Sequence, residues 1–417
     1  MSKAHEGNLD HCLKCSTCHT QCPVVANYMK YPGPKYLGPE LERLRLARGE
    51  KEPLKIDDSL AYCTNCKRCD IACPHGVKPS FYNLKNKARV KARASERLRD
   101  WILAHNVWWG KMASKVPNLS NFALKLPVIK YAMGVMGIAP RDFPEYRKQK
   151  LRIDNKQNLH IKESQGIPED KKVLYYPGCY ASFNEPEIIQ AAIDILERHG
   201  YIVEIAPTQC CGTPIFSNGF LDETRELAKK NIDVFLNYTQ KGYKIVTTCP
   251  SCGLAIKDEY RDLVPGEKAE QAAKNVWELF ELLEEEEVLH FKGTQEKENQ
   301  AKIPKAFYHV PCHLRVQGMG YPGVSILRKY AVDNLILEDS YCCGLSGTYG
   351  FKKEKYELSK AIGSPLFEAI KASGAPLVIT DCGTCKLQIE QIAGVPVKHT
   401  ALVLREYLES VDETPNI

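Results

Sequence analysis

Residues 208–216 read TQCCGTPIF, and the same CCG returns within residues 340–350, SYCCGLSGTYG. Adjacent thiols cannot easily bridge each other without strain, but on one turn each can take a different metal atom. The glycine beside them lets backbone come close to that metal and can supply a positive φ.

Working outward, each CCG sits at the same place in a longer unit. Ten cysteines divide into two sets of five, Cys179, Cys210, Cys211, Cys249 and Cys252, then Cys312, Cys342, Cys343, Cys382 and Cys385, with corresponding positions 132 or 133 apart. Each half runs strand, Cys loop, helix, strand, CCG turn, helix, strand, C-x2-C, helix. The first half offers strands at KVLYYP, YIVEIAP and YKIVTT and helical patterns over 185–200 and 221–242. AFYHVP, NLILED and PLVITD take the strand places in the second. Short apolar strands alternating with helices predict two α/β units with mainly parallel sheets. Loops after the strand C-termini of such sheets gather at one edge, where ligands bind, and the cysteines lie on those loops. Five thiolates at one point exceed the four that a structural zinc ion takes, so a polynuclear iron-sulfur centre is the better reading.

The other eight cysteines form a second repeat. CLKCSTCHTQCP places them at 12, 15, 18 and 22, and CTNCKRCDIACP at 63, 66, 69 and 73, an offset of 51 throughout. C-x2-C-x2-C-x3-C-P suits a cubane [4Fe-4S] cluster, with three thiolates from one loop and the fourth cysteine serving the other cluster. The spacing therefore assigns Cys12, Cys15, Cys18 and Cys73 to one cluster and Cys63, Cys66, Cys69 and Cys22 to the other. Tetrathiolate zinc sites would instead use two separated C-x2-4-C pairs. Pro23 and Pro74 turn the chain away from each loop. PELERLRLARG reads as a helix stopped by Gly49, and the stretch from Ser80 to Leu103 reads as one long helix.

The whole is an α+β multi-domain chain: a helical ferredoxin domain over 1–100, a helical linker over 101–170, and cysteine-rich units over 171–290 and 303–412. Its 417 residues are enough for several cores. No long apolar run reads as a membrane span, and the polar start, MSKAHEGNLDH, is not a signal peptide. The expected place is the cytoplasmic side, where reduced thiols favour metal over disulfides. With 57 basic against 51 acidic residues the net charge is +6, too mild to imply nucleic acid. Charge is uneven, with seven basic residues between Lys85 and Arg99 and an acidic run over Glu284 to Glu287, both read as solvated helix faces.

The lone cysteine, CCG and C-x2-C, twice over behind a two-cluster ferredoxin, resemble the cysteine-rich family of the heterodisulfide reductase B subunits and the iron-sulfur subunits of glycolate- and lactate-oxidising systems. YPGPKYLGPELERLRL, CTNCKRCDIACP, CCGLSGTYGFKKEKY, AIGSPLF and TDCGTCKLQIE more closely resemble the C subunits of anaerobic glycerol-3-phosphate dehydrogenases. The resemblance implies an electron-transfer subunit at the cytoplasmic face of the membrane, taking electrons from a flavin-containing dehydrogenase partner and giving them to membrane quinone. It also implies that each five-cysteine set holds a noncubane [4Fe-4S] cluster, with zinc in place of one left open. A catalytic disulfide reductase and a metal-stapled scaffold are the competing classes; a scaffold has no use for two electron relays.

No phosphate cradle of the G-x-G-x-x-G or G-x4-G-K-[ST] kind is found, so substrate oxidation belongs on another chain. His309 and His313 flank Cys312 and read either as packed strand-end histidines, the favoured reading, or as groups that tune or shuttle protons there. Thr348, Tyr349 and Lys352 read as packing before a small-molecule site. Residues 101–140, with Trp101, Trp108 and Trp109, read as a linker packed across both domains or against a partner, ahead of an amphipathic anchor in the lipid interface.

Overall fold

The computed structural model describes residues 9–49, 58–90, 93–148, 171–208, 210–285 and 302–412. Lys91, Glu286, Glu287 and the linker beyond residue 148 lie outside them.

Among the described residues, two parallel four-stranded sheets form the C-terminal part from Lys172 onward. The first takes β1 (Lys172–Tyr176), β2 (Ile202–Ile205), β3 (Lys244–Thr247) and β4 (Val276–Glu278) in the order β2-β1-β3-β4. β5 (Ile303–His309), β6 (Val332–Glu338), β7 (Val378–Ile379) and β8 (Val397–Lys398) repeat it as β6-β5-β7-β8. Every pairing is parallel, with Val173 opposite both Val203 and Lys244. The central strands are buried on both faces, which is why they read as apolar runs rather than alternating ones.

The two units exchange their outer helices. Glu187–Arg198, which buries Ile188, Ile189, Ile195 and Leu196, packs on the last helix, Thr400–Asp412. Reciprocally, Leu279–Glu285 packs on Pro322–Tyr330. One apolar core therefore runs through both sheets, joining Val173 and Tyr175 to Ala306 and Tyr308. Each such side chain contributes about 1.5–3 kcal/mol on leaving water, so neither unit keeps its outer helices buried without the other.

The N-terminal half is helical, as expected, but its long helix is two. Pro79–Arg89 ends as Val90 turns extended, and Ala94–Ala104 starts anew with the Glu96 carboxylate accepting from the Arg93 N–H. Three short helices follow, Asn106–Ala113, Pro117–Lys125 and Pro127–Val135.

Candidate metal centres

Each ferredoxin motif folds its thiols inward by bending the same two residues left-handed. Lys14 and Ser16 have φ of 59° and 69°, and Asn65 and Lys67, 51 positions later, 55° and 57°. Four non-glycine residues in that region are a cost that an ordinary loop would avoid, and successive left-handed turns aim backbone N–H groups into an anion-binding concavity. Cys12, Cys15, Cys18 and Cys73 line one such cavity, and Cys22, Cys63, Cys66 and Cys69 line the other. Each cavity thus takes three thiols from one motif and one from the other. Burial, then the charges of Cys12 and Cys73, push the Cys18 thiol up to about 11. Burial followed by Cys66 pushes Cys22 up to about 12.

The CCG turns repeat their geometry closely. Gly212 and Gly344 have φ of 87° and 83°, and their N–H groups donate to Cys210 Sγ and Cys342 Sγ, each at 3.4 Å. A side chain at Gly344 would have its Cβ 2.0 Å from the Ser359 carbonyl oxygen. Around these turns the five thiols of each set converge. In the second unit Cys312 Sγ is 3.6 Å from Cys342 Sγ. A hydrogen bond from Cys342, then one from Cys385, lowers Cys343 to about 5, and one from Cys385 lowers Cys382 to about 6. In the first unit a hydrogen bond from Cys252 lowers Cys211, and Asn106 donates to Cys179 Sγ at 3.3 Å. The partners in those bonds, Cys252 and Cys385, are raised by them in turn, and buried thiols clustered this way are the donor set of a soft metal or an iron-sulfur centre.

The comparisons with known proteins agree with that chemistry. A 4Fe-4S dicluster domain matches residues 8–77, and a cysteine-rich domain matches residues 173–257 and 306–390. The C subunit of the anaerobic glycerol-3-phosphate dehydrogenase of Escherichia coli K12 is 34% identical over 416 residues, covering 97% of this chain and all of the relative. The chain belongs to the family of anaerobic glycerol-3-phosphate dehydrogenase C subunits. It is also 24% identical to the Escherichia coli glycolate oxidase iron-sulfur subunit, over 95% of this chain and 94% of that one. The B subunit of the fumarate reductase (CoM/CoB) of Methanothermobacter marburgensis is 25% identical, over 91% and 67%. As a member of this C-subunit family, the chain is an iron-sulfur protein.

Several side chains of this family member lie elsewhere than the sequence implied. Of the basic run from Lys85 to Arg99, Arg93 and Arg97 are exposed as expected, but Lys85, Lys87, Arg89 and Arg99 are not on a solvated face. Lys85 and Arg89 meet Glu42 at 3.2 and 2.7 Å, Lys87 donates to the Ser217 carbonyl, and Arg99 pairs with Asp100 and Glu354. Burial pushes the Glu42 carboxyl up, but hydrogen bonds from Arg45 and Arg89 outweigh it and hold it at about 2. Of the acidic run, Glu284 and Glu285 are exposed as expected. His313 is a bridge, Nε2 donating to the Asn65 carbonyl at 2.9 Å and Nδ1 lying 2.9 Å from Ser251 Oγ. Thr348 accepts from Asn218, Lys352 pairs with Asp100 at 2.7 Å, and Tyr349 is buried, so all three pack.

The linker does pack across both units, with Gly110 against Phe183 and Ile138 bridged to Lys352. Its outer face stays apolar and exposed at Trp108, Leu119, Phe122, Val128, Tyr131 and Val135. Trp101 stacks on His105 and Trp109 meets Trp108 edge-on. Among the described residues no helix is long and apolar enough to cross a membrane.

Sequence reading missed the residues that dock the ferredoxin half. Lys67 meets Glu259 at 3.1 Å with both side chains almost wholly buried, Lys78 joins Asp258 and Asp262, and Lys355 donates to the Ala61 carbonyl. Only the presence of lysine inside a cysteine loop marks Lys67 in the sequence. Nothing local marks the others.

Proposed function

We propose that the chain is the iron-sulfur electron-transfer subunit of an anaerobic glycerol-3-phosphate dehydrogenase. A flavin-containing partner would oxidise sn-glycerol 3-phosphate to dihydroxyacetone phosphate, releasing two electrons that this chain accepts and delivers to membrane quinone. Cys12, Cys15, Cys18 and Cys73 would hold one cubane [4Fe-4S] cluster, and Cys63, Cys66, Cys69 and Cys22 the other. Cys179, Cys210, Cys211, Cys249 and Cys252, and Cys312, Cys342, Cys343, Cys382 and Cys385, would each hold a noncubane iron-sulfur centre. Bound clusters supply reversible one-electron storage.

The observation that carries the reading is the neighbourhood of Cys66. Its thiol is raised by burial and then by the charge of Cys312, and Cys22, Cys63, Cys312 and Cys342 share one apolar cluster. A thiol of the ferredoxin half thus lies close enough to a thiol of the second unit to feel its charge, beside a shared apolar cluster. The chain's own residues supply the surroundings: the Gly344 N–H points at Cys342 Sγ, a group that favours the reduced state of a nearby centre.

The exposed apolar face of the linker is where we place the peripheral contact with membrane or partner, on the cytoplasmic side. Anaerobically purified chain, mixed with the flavoprotein, tests the reading. Its iron-sulfur absorption should bleach on adding glycerol 3-phosphate and recover on adding a quinone. Bleaching with glycolate or lactate instead, or reoxidation by a disulfide and not by quinone, would overturn it.

A further inference from the structure

His309 closes β5 and is fully buried, at 0% exposure. Its ring nitrogen and the sulfurs of Cys343 and Cys385 all lie within 4.8 Å of one another. Neither Nδ1 nor Nε2 has a hydrogen-bond partner among the described residues. That is an uncommon arrangement, since each buried polar atom left unpaired costs about 1–3 kcal/mol. Neighbouring histidines avoid it: the half-buried His313 is engaged at both nitrogens by Ser251 and Asn65, and the buried His399 by the Thr248 carbonyl and the Ala401 N–H.

The internal repeat isolates the position. Counting back 133 residues, the offset that relates Cys312 to Cys179, brings His309 onto Tyr176. Tyr176 is also fully buried, its hydroxyl is also unpartnered, and it stands against Cys252 and Cys211, the counterparts of Cys385 and Cys343. Both units therefore aim one side chain from the first strand into the thiol cluster from the core side. In the first unit it is a phenol, which must lose a proton in a dry site before it can bind a metal. In the second it is an imidazole, which offers a lone pair while neutral.

We propose that His309 is a nitrogen ligand of the metal centre in the second cysteine-rich unit, which is thereby a mixed sulfur and nitrogen site while the first unit's is not. The inference rests on the metal-binding part of the proposed function. A neutral nitrogen donor raises the reduction potential of an iron-sulfur centre relative to all-thiolate ligation, so the repeat would hold two centres of unlike potential on one scaffold.

His309→Tyr gives the second unit the first unit's own residue and is the variant least at risk of misfolding. Full-length chain labelled with 15N-histidine, purified anaerobically, would be examined by electron spin-echo spectroscopy beside H309Y and His313→Gln. A histidine nitrogen coupling of directly bonded strength is expected in the parent and in H313Q. H309Y should lose it and titrate one centre at lower potential. If the unit takes zinc, X-ray absorption at the zinc edge reads the same ligand, as a nitrogen at about 2.0–2.1 Å. Full metal content with sulfur-only ligation, or a coupling that survives in H309Y, overturns the ligand and leaves the electron-transfer reading standing. Absence of any metal at Cys343 and Cys385 overturns both.

Discussion

Cys66 of the ferredoxin half faces Cys312 of the second cysteine-rich unit, and each set of thiols feels the other, since Cys342 in turn feels Cys66. Both units touch this loop, but it is the thiols of the second whose charges are felt at the Cys22, Cys63, Cys66 and Cys69 site. Magnetic interaction is therefore expected between that cubane centre and the second unit's centre. Cys312→Ser should remove the splitting from the spectrum of the reduced chain, whereas Cys179→Ser should leave it. The opposite pattern would reverse the order of the two units.

Crossed ligation makes a second expectation. Cys73 shares its cavity with Cys12, Cys15 and Cys18, and Cys22 shares the other with Cys63, Cys66 and Cys69. Cys73→Ser should alter the cluster of the first motif, and Cys22→Ser that of the second, in EPR of the reduced chain. Loss of only the cluster belonging to the mutated motif contradicts the crossing.

The Lys67–Glu259 pair pins a cysteine loop to the first unit. Removing one partner leaves an uncompensated buried charge, so Lys67→Met or Glu259→Gln is expected to cost about 3–5 kcal/mol. Lys67→Met combined with Glu259→Leu should recover most of that loss, because a well-packed apolar pair can replace a buried ion pair. Thermal melts of the three variants test it; additive losses in the double variant would show that the pair is not coupled.

Glu278 gives a pH dependence. Burial first raises its carboxyl to about 8, with Asp381 and Glu281 adding to the rise and Lys257 and a hydrogen bond from Gln317 opposing it. A raised folded pKa means that its stabilising protonated form is fully present below the ordinary value of 4.5 and is lost as pH rises through 8. Glu278→Gln removes the titration. Its melting temperature relative to the parent should therefore climb from pH 6 to 8 and level off above. A difference that stays flat over that range contradicts the assignment.

The exposed apolar face of the linker bears on membrane contact. Because Lys85, Arg89 and Arg99 are committed to internal carboxylates, they have little attraction left for anionic lipid. Flotation with liposomes should then rest chiefly on apolar burial at roughly 25 cal/mol per Å2, with only a modest salt dependence from the exposed Arg93 and Arg97. Phe122→Asp with Val128→Asp should abolish it. Binding that weakens strongly with salt would restore a role for the basic run.

What the sequence made legible was local. Cysteine spacings and apolar strand runs are set within a few residues, so the two motifs, the CCG turns and the central strands could be read directly. β4 and β8 escaped because three and two residues carry no period. Lys85, Arg89 and Arg99 did not read as paired because Glu42 and Glu354 lie on other elements, Glu354 more than two hundred and fifty positions from Arg99. Lys67 gains its meaning from Glu259, nearly two hundred positions away. His309 was visible as a residue, but its role depends on the unpaired nitrogens and on Tyr176, which only residue-by-residue alignment of the two halves brings beside it.

Metal content and redox spectroscopy of the anaerobically purified full chain test the central claim most directly. Iron and sulfide analysis with Mössbauer and EPR titration should find two cubane [4Fe-4S] clusters and two further iron-sulfur centres, one for each of the four thiol sets. Two reducible clusters alone, with the cysteine-rich units holding zinc or no metal, would contradict it.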